Sequence, residues 1–104
     1  MTEVSDALYE EVASFLNFTW EDSKRTERIK GYILSSAQYL ESIANSEIVF
    51  ESAEGKTVDY LAKDLLLNRV LYMDSQALDD FAKNYVNELN TLRITYEVVD
   101  ATED

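Results

Sequence analysis

The sequence predicts a mainly α-helical protein: a four-helix bundle-like domain with a short C-terminal β segment. Three observations support this prediction. The 104 residues include no proline and only two glycines, so few residues interrupt a helix. Apolar residues recur at steps of three and four along most of the chain. From residue 93 to 99 they alternate instead, which is typical of a strand. We predict one domain over residues 1–104, with an acidic end at 100–104 that frays.

The first helix is predicted over residues 6–16. Ser5 is a suitable N-cap, because its hydroxyl can accept a hydrogen bond from the first helical turn. The segment has a single apolar face. Its members are Leu8, Val12, Phe15 and Leu16.

The second helix is the longest predicted element. Thr19, followed by Asp22, resembles a capping box, so the helix is expected to begin near Trp20 and to continue until Asn45. Its length would be about 35 Å. Gly31 lies off the apolar stripe and is interpreted as a tolerated surface glycine; the alternative is close approach of another backbone. The stripe consists of Ile29, Ile33, Ala37, Leu40, Ile43 and Ala44.

The third helix is predicted from Val58 to about Met73, with Thr57 as its cap. It is apolar on two sides, so we expect it to be central in the bundle or to contact another chain. Arg69 falls on the principal face, where it either snorkels to the rim or forms a buried pair with a carboxylate. The principal face contains Val58, Leu61, Ala62, Leu65, Tyr72 and Met73, and the opposite stripe contains Tyr60, Leu67 and Leu71.

The fourth helix is predicted after Asp74 or Ser75, either of which can serve as its N-cap. Its apolar stripe consists of Leu78, Phe81, Ala82, Tyr85, Leu89 and Leu92. The alternating segment that follows places Ile94, Tyr96 and Val98 on one side of a strand. Residues 48–50 are its candidate partner, and the alternative is that another subunit completes it.

Charge narrows the classes of function. The chain carries 21 acidic and 9 basic residues, a net charge of −12. Such a surface repels phosphate backbones and anionic lipids, so tight binding of nucleic acid is disfavoured. No apolar run is long enough to span a bilayer and no secretory leader is evident. We therefore expect a soluble, unprocessed, intracellular protein.

The composition also disfavours catalysis. Histidine and cysteine are absent, which removes the commonest general base, the thiol nucleophile and the main transition-metal ligands. Adjacent acids such as Asp79 and Asp80 point about 100° apart on a helix and cannot close on one ligand. We expect no enzymatic activity, no cofactor and no metal. The one basic cluster is a candidate contact for phosphate or an acidic partner, with ordinary helix-surface pairing as the alternative. It consists of Lys24, Arg25, Arg28 and Lys30.

Several packing segments follow one another in a distinctive order. They are residues 27–29 (ERI), 37–43 (AQYLESI), 65–72 (LLLNRVLY), 77–81 (ALDDF), 84–85 (NY) and 88–93 (ELNTLR). Their order and spacing resemble the small head-tail connector (adaptor) proteins of long-tailed bacteriophages, over nearly the whole chain. The second helix ends in Asn45-Ser46 where members often have glycine, but asparagine also adopts the left-handed cap conformation.

The resemblance implies a structural virion protein without a small-molecule substrate. Such a protein docks beneath the portal, arranges as a ring of about a dozen copies and extends the DNA channel. The implied partners are the portal protein, a neighbouring tail-side connector or stopper protein, and copies of itself. DNA passes through without specific binding and no membrane is involved. The implied location is the virion head-tail junction, with the host cytoplasm before assembly.

A closed ring needs two complementary patches on each subunit. The candidates are the second stripe of the third helix (Tyr60, Leu67, Leu71) and the terminal strand (Ile94, Tyr96, Val98). The negative charge is expected to keep DNA from adhering to the channel, or only to keep the protein soluble. It also opposes self-association, so we expect a mostly monomeric protein whose ring forms on the portal.

An alternative function is that of an acidic inhibitor that mimics DNA and occupies the basic groove of a host protein. Mimicry requires carboxylates over a continuous face at phosphate-like spacing. In this sequence the acids are scattered and basic residues interrupt them.

Overall fold

The computed structural model of the chain describes residue 1, residues 3–17 and residues 23–102, with side chains as far as residue 97. These residues form five helices, so the mainly helical prediction is confirmed. They are α1 (Asp6–Phe15), α2 (Ser23–Ala44), α3 (Tyr60–Asp74), α4 (Leu78–Asn84) and α5 (Val86–Thr102). None of the helices in the described ranges is long and apolar enough to cross a membrane.

The longest helix, α2, packs along α3, and this pair forms the centre of the molecule. Helices α1 and α5 each contact both members of the pair, and α4 bridges α3 and α5. The predicted stripe of α2 is confirmed, because all its members except the half-buried Ile43 lie in the core. The remaining core residues are Leu8, Val12, Ile48, Phe50, Ala62, Leu65, Leu66, Val70, Phe81, Leu89 and Leu92.

The start of α1 follows the sequence prediction. Ser5 Oγ accepts a hydrogen bond from the Leu8 N–H (3.1 Å), as an N-cap should. The same hydroxyl donates to the Glu51 carboxylate at 2.7 Å, which ties α1 to the connection between α2 and α3. The predicted capping box at Thr19 and Asp22 lies outside the described residues. No heavy atom lies within 4 Å of a Cβ built on Gly31, which agrees with a surface glycine.

Three helices end on a non-glycine residue in the left-handed region. These residues are Asn17 (φ 57°), Asn45 (φ 52°) and Gln76 (φ 57°). At the end of α3, Ala77 N–H donates to the Tyr72 carbonyl (2.8 Å) and Gln76 N–H to the Met73 carbonyl (3.1 Å). This pair of bonds is the Schellman motif, in which glycine is the commonest left-handed residue.

The predicted start of α3 is wrong by two residues. Asp59, and not Thr57, is the N-cap, and the helix begins at Tyr60. Asp59 is favoured because both of its carboxylate oxygens and its backbone N–H are hydrogen-bonded there. Oδ1 accepts from Ala62 N–H (3.0 Å), Oδ2 accepts from the Tyr96 hydroxyl (2.7 Å), and its own N–H donates to the Val49 carbonyl (2.9 Å). A charged carboxylate is also a stronger acceptor than a hydroxyl.

The predicted fourth helix is two helices, so the four-helix count is not confirmed. The chain kinks at Tyr85, where φ is −116°. The predicted caps at Asp74 and Ser75 instead end α3, and α4 begins after Ala77 without a side-chain cap. At the kink the Tyr85 ring stacks on Phe81 (centroids 4.9 Å apart) and meets Tyr72 edge-on (5.8 Å). These ring contacts hold the kinked residue against α3.

The predicted C-terminal β segment is replaced by helix. Residues 93–99 lie within α5, which runs to Thr102. Residues 48–50 form no strand. Within the described ranges, strand-like pairing is limited to an isolated bridge between Ala53 and Lys56.

Packing explains why the alternation of apolar residues over 93–99 led to a wrong prediction of a strand. Leu89 and Leu92 are buried and Tyr96 is half-buried, so the segment also carries a helical stripe at steps of three and four. The lower helix propensity of β-branched residues amounts to only a few tenths of a kcal/mol each, roughly. In addition, Thr95 Oγ1 donates to the Thr91 carbonyl one turn back (2.8 Å), which satisfies its hydroxyl inside the helix.

Replacing Gln76 with glycine is expected to raise the free energy of unfolding by about 0.5–1 kcal/mol, because glycine relieves the left-handed strain at this position. Urea denaturation followed by circular dichroism measures the change. Gln76→Ala is the matched control, since it keeps the Cβ and should give no such gain. A Gln76→Gly protein less stable than the wild type would contradict the prediction.

Replacing Tyr96 with phenylalanine is expected to lower the free energy of unfolding by about 1–2 kcal/mol at neutral pH, because the bond to Asp59 is lost. Burial, followed by the bond to Asp59, raises the pKa of Tyr96 above its ordinary value of 10.0. The unfolded state therefore ionises first, and this stabilisation falls as the pH rises above about 10.

Urea denaturation of both proteins between neutral and alkaline pH tests this expectation. The difference between wild type and Tyr96→Phe should shrink as the pH rises. Tyr60→Phe is the matched control, because the Tyr60 side chain is exposed and its change should be near zero. Equal effects of the two substitutions would refute the role assigned to the Tyr96 hydroxyl.

Candidate functional site

The predicted stripe on α3 lies on the outer side of that helix. Tyr60 is 68% exposed, Leu71 is 36% exposed, and Leu67 is half-buried against the core. The three residues are seven and four positions apart, so they lie on one line along the helix. We call this line the α3 stripe.

The second predicted patch does not stay together, because its residues lie on a helix and not on a strand. Ile94 is 49% exposed, whereas Tyr96 packs against the core and bonds to Asp59. Residues two apart on a helix point about 200° apart, so these two cannot share a contact face. The Val98 side chain lies outside the described residues.

The exposure of three other apolar side chains was not predicted from the sequence. Phe15 and Leu78, predicted to face the core, are exposed, and so is Val86. Sequence periodicity places Phe15 and Leu78 on apolar stripes, but it cannot show where the neighbouring helix ends, and Val86 lies on none of the predicted stripes. A cavity of about 200 Å³ adjoins the end of the α3 stripe and is lined by Leu71, Tyr72, Ser75 and Ala77.

The four basic residues of α2 do not form one patch. Arg25 pairs with Asp74 at the end of α3 (Nη2 to Oδ2, 3.2 Å). Lys30 lies over the ring of Tyr9 on α1, with Nζ 5.5 Å from the centroid. Lys24 and Arg28 are exposed. The cluster thus spreads toward two neighbouring helices and solvent.

Arg69 is buried between α2 and α3, at 8% exposure, so it does not snorkel. Nη1 donates to Ser36 Oγ (3.0 Å) and to the sulfur of Met73 (3.5 Å). The guanidinium carbon lies 4.3 Å from the centroid of the Tyr39 ring, a cation–π distance. Burial lowers the pKa of Arg69, and Tyr39 partly offsets this effect.

The expected acidic partner of Arg69 is not found in the described part of the chain, where no carboxylate oxygen lies within 4.0 Å of its nitrogens. Its partners are a hydroxyl, a thioether and an aromatic ring. One sequence signal could have located Ser36: it lies at the same helical spacing as the α2 stripe, between Ile33 and Leu40, and it is fully buried.

A cavity of about 280 Å³ opens beside Arg69. Its walls combine this buried cation with two aromatic rings, Tyr39 and Phe81, which meet edge-on with centroids 6.5 Å apart. Helix α4 supplies the opposite wall. The lining residues are Tyr39, Arg69, Leu78, Asp79, Phe81 and Ala82.

Replacing Arg69 with methionine is expected to leave the free energy of unfolding unchanged or to raise it, because an apolar side chain of similar length avoids burying a charge. Arg69→Ala should lower it by about 2–3 kcal/mol, because it leaves a void between α2 and α3. Urea denaturation compares the two, with the exposed Lys56→Met as the control for loss of one positive charge. Equal losses in both Arg69 variants would show that the charge itself is required for stability.

The chemistry that these residues offer is apolar contact together with one buried cation. In the described ranges, no group of three or more acidic side chains is placed to hold a metal ion. No protein-family model, no curated protein and no solved structure matches the chain.

Proposed function

We propose that this protein is a structural virion protein, a head-tail connector that forms a ring beneath the portal and extends the DNA channel. The observation that carries the proposal is the α3 stripe, where Tyr60 and Leu71 present apolar surface to solvent. The stripe covers about 16 Å of the helix axis. Exposed apolar side chains that line up on one face of a helix are candidates for a contact between proteins.

The order of the packing segments between residues 27 and 93 supports the proposal independently. It is the order that resembles the head-tail connectors. In the proposed connector, α4 and α5 act together as one helical unit interrupted at Tyr85. The domain then corresponds to a four-helix bundle.

The net charge of −12 supports two further parts of the proposal. Carboxylates lining the channel repel the phosphates of passing DNA, which then slides without adhering. The same charge keeps free subunits apart. The ring therefore forms on the portal, which holds the subunits at high effective concentration.

Binding to purified portal rings tests the proposed function. The portal protein of the proposed virion is mixed with the chain, and the complex is imaged by electron microscopy. We expect one subunit per portal subunit or another ring-like ratio. The double variant Tyr60→Ser/Leu71→Ser should bind at least about 10-fold more weakly, because the α3 stripe loses its apolar contacts. Asn90→Ser on exposed α5 is the matched surface control.

Two outcomes would overturn the proposal. One is failure of the wild-type protein to bind the portal. The other is tight binding to a DNA-binding protein in competition with DNA, which would favour the inhibitor alternative. A stable large ring seen by sedimentation without the portal would contradict assembly on a template.

A further inference from the structure

The guanidinium of Arg69 has unused donors. Among the described residues, its hydrogen bonds leave only from Nη1, to Ser36 and Met73. Arg69 as a whole is 8% exposed, and Nε and Nη2 are not among the fully enclosed polar atoms that lack a partner. These two nitrogens form the edge of a guanidinium that binds a carboxylate with two parallel hydrogen bonds. A cation this deeply buried is stabilised most by an anion that reaches it.

The adjoining cavity, which Arg69 lines, offers an anion a route to this side chain. Its volume of about 280 Å³ corresponds to roughly nine water molecules, so it is large enough for an acidic side chain. The rings of Tyr39 and Phe81 and the exposed Leu78 suit the methylene groups of such a side chain. The guanidinium suits its carboxylate.

A carboxylate fits better than a phosphate. Asp79 lines the cavity, and its negative charge opposes a dianion more strongly than a monoanion. A single guanidinium also balances one charge and not two. The cavity therefore matches a polypeptide carboxylate in charge and in size.

The net charge of the chain indicates which molecule provides the carboxylate. With 21 acidic residues against 9 basic ones, a second copy carries a large excess of carboxylates that can reach the guanidinium. Exposed Leu78 lines the cavity itself, so an approaching copy also meets an apolar contact there. Mixed apolar and charged contacts of this kind are typical of subunit interfaces.

We propose that the cavity beside Arg69 is a carboxylate-binding site that receives an acidic side chain from the neighbouring copy of this chain. The inference rests on the proposed function, because a ring places copies next to one another. Each subunit then offers its Arg69 cavity to one neighbour and a carboxylate to the other, the head-to-tail pattern that closes a ring.

Titration of the full chain with sodium acetate tests the site on its own. The ¹⁵N shift of Arg69 Nε and the ring protons of Phe81 are followed by NMR at constant ionic strength. We expect a saturable shift with acetate and binding at least about 10-fold weaker with acetamide, its neutral isostere. Arg69→Met should abolish the shift, Arg69→Lys should weaken it, and Lys56→Met should leave it unchanged. No saturation with acetate, or tighter binding of inorganic phosphate, would overturn the carboxylate site.

The neighbouring copy is tested in the assembly. On portal rings, Arg69→Met should bind at least about 10-fold more weakly than wild type, whereas Lys56→Met should bind normally. Circular dichroism and urea denaturation confirm that the variants are folded. If Arg69→Met fills the rings as well as wild type, the inference is wrong while the proposed function stands.

A wild-type protein that never binds the portal would remove the proposed function. The inference is then decided by self-association at millimolar protein concentration. The Arg69 Nε signal must shift with protein concentration, and acetate must reverse that shift. A signal independent of concentration would overturn the role of the second copy.

Discussion

The packing of α2 along α3 is the contact on which the rest of the fold depends. Helices α1 and α5 both rest on this pair, so neither has a complete binding surface until it forms. Most of the contact is apolar, but Arg69 is placed in the middle of it with Ser36, Met73 and the ring of Tyr39 around it. A buried charge contributes little to stability. The presence of Arg69 at the central contact therefore indicates a role other than stabilising the fold.

Rules of local sequence were enough to predict the features that depend only on neighbouring residues. The stripe of α2 and the Ser5 cap depend on residues within a few turns, and both agree with the structure. The sequence prediction failed where distant residues decide the outcome. Asp59 displaces Thr57 as the cap of α3 with help from Tyr96, and residues 93–99 are helical because Leu92 and Tyr96 pack on the core.

The candidate site divides in the same way. The α3 stripe follows from helical spacing alone, and so Tyr60 and Leu71 could be singled out beforehand. The surroundings of Arg69 could not, because Ser36 and Tyr39 come from another helix and Leu78 from beyond a turn. Spacing identifies a residue that is unusual, but only the packing of elements distant in sequence shows what it faces.

Asp59 also joins two helices that are distant in sequence. Its carboxylate holds the first turn of α3 with one oxygen and the C-terminal helix with the other. Tyr60, the most exposed residue of the α3 stripe, is the next residue along the chain. Movement of the C-terminal helix is therefore coupled to the first turn of α3, and so to the start of the α3 stripe, through this carboxylate as well as through the direct packing of α5 on α3.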